Sequence, residues 1–458
     1  MDKRFDRTYA VLLAGGTGSR LWPVSRERFP KQLVRFIGDA SLVQATVQRI
    51  APLIDSGRIR VVCGQEHHFE IARHIEALGI PAEGRILREP CGRNTAPAIL
   101  LALLTIRRER PDALVCVFPA DHVIRDLDDF RRQVAAAVGL ADEGYIVTFG
   151  IRPHYPETGY GYIEGGRPLG RDARRIRRFV EKPDLATAQR YLDAGNFFWN
   201  SGMFAFAAQT LADEFQRHQP ALYQDLERLL AEGGALSAAG YGRLPDISID
   251  YAIMEHTDRG AVLPSDFGWS DIGSWKSLYD FLAKDADGNV IDGDVLTAAT
   301  RDCFIVGRER LIATNRIRHL AVIDTPDAVF VSDLETSRDV KTIVRMLKES
   351  GRREYHQHRT VRHAWGARTV LAQAATHEVT RLEIHPGATH RIAAPVGSRV
   401  HLTVAAGRLH WPVGGRDGEL AAGDCLPLGG AEPLRLENRG ESPLELICVS
   451  LPPPAAAD

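Results

Sequence analysis

The chain has 458 residues, 44% of them hydrophobic and 25% charged, which is more than one core usually takes and points to about two or three domains. Its 57 basic and 59 acidic side chains nearly cancel, which excludes a bulk nucleic-acid binder and a polybasic membrane-surface protein. No apolar run reaches the roughly 20 residues of a membrane span, and the charged start Met1-Asp2-Lys3-Arg4-Phe5-Asp6-Arg7 does not lead into a signal segment, so a cytoplasmic protein is expected.

From residue 8 to about 280, apolar strand-like runs alternate with amphipathic helical stretches. Tyr9–Leu13, Ile59–Cys63, Leu114–Phe118 and Ile146–Gly150 are the clearest strands, and Leu42–Ile50, His67–Leu78 and Ala96–Arg108 the clearest helices. That alternation predicts an α/β domain, doubly wound around a mainly parallel sheet. Ligands in such sheets sit beyond the carboxyl ends of strands, where Gly15 and Asp121 both fall. After about residue 286 the pattern changes to short β runs at Val290–Ile291, Cys303–Val306, Ile312–Ala313, Leu320–Ile323 and Val329–Val331, followed by a helix over Ser337–Lys348. Arg352–Arg362 reads as a polar linker. Alternating strands with turns at Pro386-Gly387, Gly414-Gly415 and Gly429-Gly430 then suggest a small antiparallel barrel, and the Ala/Pro tail after Leu451 a disordered end. The expected domains are 1–285, 286–350 and 361–451, with a tail at 452–458. The six cysteines lie far apart, so neither a zinc site nor a disulfide framework is suggested.

The first strand runs into Gly15-Gly16-Thr17-Gly18-Ser19-Arg20, with Pro30-Lys31-Gln32 one loop later. Glycines let backbone N–H groups close around phosphate oxygens, and Arg20 and Lys31 supply countercharge. Neither commoner glycine loop fits. Ser19-Arg20 stands where a mononucleotide P-loop has Lys-Ser/Thr, and Leu21 stands where the dinucleotide fingerprint has its third glycine. Asp121 ends the buried strand Leu114–Phe118, and Asp271 lies in the aromatic turn Gly268-Trp269-Ser270-Asp271. Two carboxylates completed by phosphate oxygens and water suit Mg²⁺, which seldom takes an all-protein cage.

These motifs together resemble the sugar-nucleotide pyrophosphorylases, and among them the mannose-1-phosphate guanylyltransferases. The resemblance continues through Glu89-Pro90-Cys91-Gly92-Arg93-Asn94-Thr95-Ala96-Pro97-Ala98, Thr158-Gly159-Tyr160-Gly161-Tyr162-Ile163, Phe179-Val180-Glu181-Lys182-Pro183, Trp199-Asn200-Ser201-Gly202 and Ser248-Ile249-Asp250-Tyr251-Ala252. It implies that Gly15, Gly16, Gly18, Arg20 and Lys31 hold a triphosphate and that Asp121 and Asp271 bind the metal. It further implies that Glu181, Asn200 and the Gly161 backbone meet a sugar, Lys182 the sugar phosphate, and that Asn94 and Thr95 lie near the nucleotide. The implied partners are GTP and mannose 1-phosphate, with room for a homo-oligomer and none for nucleic acid or membrane. A pyrophosphorylase for another sugar or base, and a non-catalytic sugar-nucleotide sensor, are the competing readings.

Residues 361–451 resemble the cupin half of bifunctional enzymes that join phosphomannose isomerase to this guanylyltransferase, through Ala364-Trp365-Gly366, Ile384-His385-Pro386-Gly387-Ala388 and Arg435-Leu436-Glu437-Asn438. The isomerase form carries Gln, His and Glu ligands whose positions are occupied here by Ala393, Pro395 and Val400. Only His401 keeps a ligand-type side chain in register, and one imidazole cannot hold a catalytic zinc. A retained barrel without isomerase activity is therefore expected, the bifunctional enzyme being the alternative.

Overall fold

The computed structural model describes all residues except Met1, Thr17, Arg171, 395–396, 414–415, 429–432 and 452–458, and also leaves out the side chains of Arg338, Val413, Arg416 and Asp417. The expected ligand position at Pro395, the two Gly-Gly turns and the tail fall outside the described residues. The chain divides into two compact units: Met1–Ile323 with Phe330–Arg345, and Asp324–Val329 with Met346–Asp458.

In the first unit, β1 (Thr8–Leu13), β2 (Ile59–Gly64), β3 (Ile86–Glu89) and β4 (Leu114–Pro119) are followed by the two-residue β5 (Val123–Ile124) and then β6 (Ile146–Ile151). β7 (Tyr162–Gly170), β8 (Ala173–Val180), β9 (Phe197–Ala207), β10 (Gly260–Ser265) and the short β11 (Trp269–Ser270) complete the set. A nine-stranded sheet runs in the order β3-β2-β1-β4-β9-β6-β10-β8-β7. β1 pairs in parallel with β2 and β4, and β6 with β10, whereas β9 runs antiparallel to β4, β6 and β7, and β8 antiparallel to β10 and β7. The sheet is thus mainly parallel, with β8 and β9 reversed.

Alternate residues of the central strands feed two separate cores. Ala10, Leu12, Cys116 and Phe118 pack on one face with the helices Leu42–Ile50, His68–Glu76 and Leu127–Asp142. Tyr9, Val11, Val115 and Val117 pack on the other with Thr95–Glu109, Ala208–His218 and Pro220–Ala231. This is why those strands read as unbroken apolar runs: both faces are covered. The arrangement is the doubly wound one expected.

After this domain, Val290–Ala298, Phe304–Asn315 and Leu320–Thr325 pair in parallel, with Phe304 opposite Val290 and Ala321. The runs at Cys303–Val306 and Ile312–Ala313, read from the sequence as separate strands, belong to one strand that continues through Arg308 and Arg310. Exposed positions there tolerate charge. The helix expected over Ser337–Lys348 splits into a tight turn, Ser337–Asp339, and a helix, Val340–Glu349. Part of the expected linker is structured, with a helical turn at Arg353–Tyr355 and a strand from Thr360.

The second unit contains an antiparallel barrel of a six-stranded and a four-stranded sheet. Leu382, Ile384, Val400, Leu402, Val404, Leu409, Leu436, Leu444 and Leu446 fill its core, each no more than 2% exposed. Among the described residues, no helix is long and apolar enough to cross a membrane.

Candidate active site

The carboxyl ends of β1, β3 and β4 open onto a cavity of about 550 Å³. It collects Gly15 and Gly16 after β1, Glu89 at the end of β3, Asp121 and His122 after β4, and Asp271 just after β11. Gly161, Glu181, Asn200 and Asp250 line it too, as do Asn94 and Thr95 at the start of the 15-residue helix Thr95–Glu109. That helix start is capped by Asn94, whose side-chain oxygen accepts from Thr95 N–H at 2.9 Å; Ala96 N–H donates to Ile247 O at 3.1 Å and Pro97 has no N–H, so the helix dipole, rather than free N–H groups, is what this end offers a negative charge.

Lys31 is the electrostatic centre, its side chain only 7% exposed. Its Nζ donates to Asp121 Oδ2 at 2.9 Å and also to the main-chain oxygen of Asp271. Burial by itself would raise the Asp121 carboxyl, but the charge and hydrogen bond of Lys31 outweigh it and hold the group below the usual carboxylate range. Asp271 Oδ1 accepts from Tyr160 O–H at 2.7 Å and from Gly273 N–H at 3.1 Å. Burial and the Asp271 charge push the Tyr160 phenol well up, so it stays protonated and donating. His122 Nδ1 accepts from Trp269 Nε1–H at 3.1 Å, and burial lowers its pKa to about 4, so the ring is neutral near pH 7.

Each carboxylate thus commits one oxygen to a protein donor while lining the same cavity. Among the described residues there is no group of three or more His, Cys, Asp or Glu side chains that could hold a metal ion. Two acids without a third protein ligand are the donor set of a hard divalent cation that completes its shell from substrate oxygens and water. Asp121 and Asp271 therefore fit such a cation.

The sugar-side residues form a second network. Asn200 N–H donates to Gly161 O at 2.8 Å, and a Cβ built on Gly161 would lie 2.5 Å from Glu181 Oε2, so any larger residue there would push the Glu181 carboxylate from this position. Glu181 also pairs with the exposed Lys182, whose backbone takes a left-handed φ of 45°. Lys182, Lys31, Arg20 and Gly18 do not line the cavity: Lys31 is buried behind Asp121, to which it donates, and Arg20 is exposed in the turn Ser19–Leu21. Gly18 serves Lys31: its φ is 58°, and a Cβ there would meet Lys31 Cβ at 2.5 Å. The sequence reading gave no role to Glu89, His122, Tyr160, Trp269 or Asp250, although most of them stand inside the quoted motifs. Glu89 is buried and accepts from Tyr241 O–H at 2.8 Å, and burial raises its carboxyl.

A glycine loop, a helix start and two acids around one lysine, at the carboxyl end of a doubly wound sheet, define a nucleotide-handling transferase of the α/β class. Residues 9–288 match the nucleotidyl transferase family, 293–347 the MannoseP isomerase/GMP-like beta-helix domain, and 350–452 the mannose-6-phosphate isomerase C-terminal domain. The chain belongs to the nucleotidyl transferase family, in the branch of the mannose-1-phosphate guanylyltransferases. It is 41% identical over 455 residues to the xanthan biosynthesis protein XanB of Xanthomonas campestris, covering 95% of this chain and 94% of that one. It is 38% identical over 454 residues to the mannose-1-phosphate guanylyltransferase of Klebsiella pneumoniae, with 95% and 94% covered. A crystal structure from Thermus thermophilus, described as a mannose-1-phosphate geranyltransferase, superposes with a TM-score of 0.68 at 37% identity, covering 75% of this chain and 99% of that one. Nucleotidyl transferases of this family generally use a divalent metal, and guanylyltransferase activity implies a nucleotide and a sugar phosphate as substrates.

Proposed function

We propose that this enzyme joins GTP and mannose 1-phosphate into GDP-mannose with release of pyrophosphate, using Mg²⁺, in the cytoplasm. The observation that carries the reading is the single cavity shared by Gly15 and Gly16, by Asp121 and Asp271, which Lys31 ties together, and by Glu181 with Asn200. A sugar 1-phosphate is already an ionised nucleophile near neutral pH, so no protein base is required. One of its phosphate oxygens forms the new bond to the α-phosphorus of GTP. The bond from that phosphorus to the bridging oxygen breaks, and pyrophosphate leaves with the electron pair.

The protein's work is alignment and charge neutralisation. Gly15 and Gly16 present main chain to the triphosphate, Lys31 places a buried positive charge beside the reacting phosphates, and Asn94 and Thr95 bring the helix start to the nucleotide. Arg20 and Lys182, long and exposed, meet phosphate oxygens at the rim. Mg²⁺ held by Asp121 and Asp271 would supply Lewis-acid neutralisation of phosphate charge. Glu181, Asn200 and the Gly161 main chain receive the hexose. The xanthan-related full-length relative supports use of the product in polysaccharide synthesis.

The barrel takes no part in this chemistry. Of the positions where the isomerase form has its ligands, Val400 lies in the apolar core and Ala393 is exposed, and His401 is exposed too. His390 stacks on Trp365 with ring centroids 3.9 Å apart. These placements support a barrel that has lost the isomerase metal site.

The test is pyrophosphate release with Mg²⁺ from GTP and mannose 1-phosphate, run beside ATP, dTTP and glucose 1-phosphate. Release that needs GTP, mannose 1-phosphate and metal is expected. Silence with every pair, from folded protein that binds GTP, would favour a sensor instead.

A further inference from the structure

Asp250 lines the cavity but has no assigned task. It opens a single π-helical turn, Asp250–Met254, an irregularity that recurs at functional sites. Its Oδ1 accepts from Asn200 Nδ2 at 2.9 Å. That amide cannot turn over freely, because its Oδ1 already accepts from Thr148 Oγ1 at 3.0 Å and from Gly202 N–H at 3.2 Å. Thr148 is fully buried and shares its one hydroxyl hydrogen between Asn200 Oδ1 and Met203 O, each at 3.0 Å, so with Gly202 N–H it orients the Asn200 amide whose Nδ2 meets Asp250.

Asp250 also feels the charge of Glu181, which lines the same cavity. Burial, reinforced by the Glu181 charge, raises Asp250 to about 7, with hydrogen bonds from Ser248 and Asn200 acting the other way. Two carboxyl groups lining one cavity offer several hydrogen-bonding oxygens to the same ligand. A hexose hydroxyl is itself both donor and acceptor, so such a pair reads hydroxyl placement as well as presence.

We propose that Asp250 is a further sugar-recognition residue: its carboxyl, fixed by Asn200 and set beside Glu181, hydrogen-bonds a hydroxyl of the hexose 1-phosphate and helps decide which epimer is accepted. The inference rests on the sugar-side reading of Glu181 and Asn200 above. An epimer that moves the matching hydroxyl leaves a half-buried carboxyl short of a partner, a situation in which polar sites discriminate.

The test compares the full-length enzyme with Asp250→Asn and Thr148→Val, measuring kcat and KM for mannose 1-phosphate at saturating GTP, and for GTP at saturating sugar phosphate. Selectivity against glucose 1-phosphate and melting temperature are read on the same proteins. For Asp250→Asn, KM for mannose 1-phosphate should rise about tenfold or more and selectivity fall by a similar factor, with KM for GTP within about twofold. Thr148→Val, which removes one of the two donors to Asn200 Oδ1 and leaves that of Gly202, should shift the same two quantities in the same direction by less. Unchanged sugar KM and selectivity in both variants would overturn the proposal, as would equal rises in both KM values with a lowered melting temperature. If the parent enzyme uses another hexose 1-phosphate instead, the substrate reading fails, and the same comparison on that hexose still decides the role of Asp250.

Discussion

The cavity of the first unit and the core of the barrel are both enclosed by strands, yet they are filled in opposite ways. The cavity is lined by Asp121, Asp271, Glu181 and Asp250, and the buried Lys31 ties the first two together by hydrogen bonds to the Asp121 carboxylate and the Asp271 main chain. The barrel interior holds Leu382, Val400, Leu402, Leu436 and Leu446, and among the described residues no metal-ligand group appears. Buried polar groups are costly unless they are paired, so a pocket that keeps them in a bonded cluster marks chemistry. An apolar interior marks a scaffold. The difference teaches that fold resemblance and activity are separate questions inside one chain: the described interior of the second unit is apolar packing, and the proposed loss of its isomerase site is what the experiments below test.

The largest expected effect breaks the first half of that contrast. Asp121→Ala and Asp271→Ala should each lower kcat by at least about 10²–10³, or 3–4 kcal/mol of transition-state stabilisation, while melting stays close to the parent. Near-normal pyrophosphate release at saturating Mg²⁺ from either variant would remove its metal role. Next in size, Leu402→Ala in the barrel should cost about 2–5 kcal/mol of that unit's stability by opening a cavity at a fully buried site. Pyrophosphate release at moderate temperature should stay within about twofold, and a parallel collapse of turnover would show that the barrel is needed for catalysis.

Asp250 gives a smaller, pH-dependent effect. Its native pKa of about 7 lies above the ordinary 3.8, so the folded state binds more protons between those values and stability falls as pH rises through that window. Asp250→Asn removes this, and should gain on the order of 2–4 kcal/mol relative to the parent between pH 4 and pH 8, read by denaturant melts. A parallel pH trend in both proteins would count against the raised carboxyl. Smallest of all, the exposed His401→Ala should change stability by less than about 0.5 kcal/mol and zinc content not at all; measurable loss of bound zinc would revive the histidine as a ligand.

How much of this was legible in the sequence differs from element to element. β1, β2, β4 and β6 stand out because strands covered on both faces become apolar runs. β8 does not, since Ala173-Arg174-Arg175-Ile176-Arg177-Arg178 keeps its charges on exposed positions near the edge of the sheet. In the site, Asp121 and Asp271 were visible because their motifs are local. The tie between Asn200 and Asp250 crosses fifty positions, as does Lys31 to Asp121 across ninety, and no local pattern carries such pairings. Gly18 shows a further limit: a glycine read as a phosphate cradle is required by its close approach to Lys31.

The most direct measurement runs two reactions on one full-length preparation supplied with both Mg²⁺ and Zn²⁺: pyrophosphate release from GTP and mannose 1-phosphate, and interconversion of mannose 6-phosphate and fructose 6-phosphate, with bound zinc counted. The expected result is the first reaction, no trace of the second and no stoichiometric zinc. Isomerisation accompanied by one zinc per chain would contradict a barrel given over to packing, and absence of the first reaction would contradict the catalytic role of the cavity.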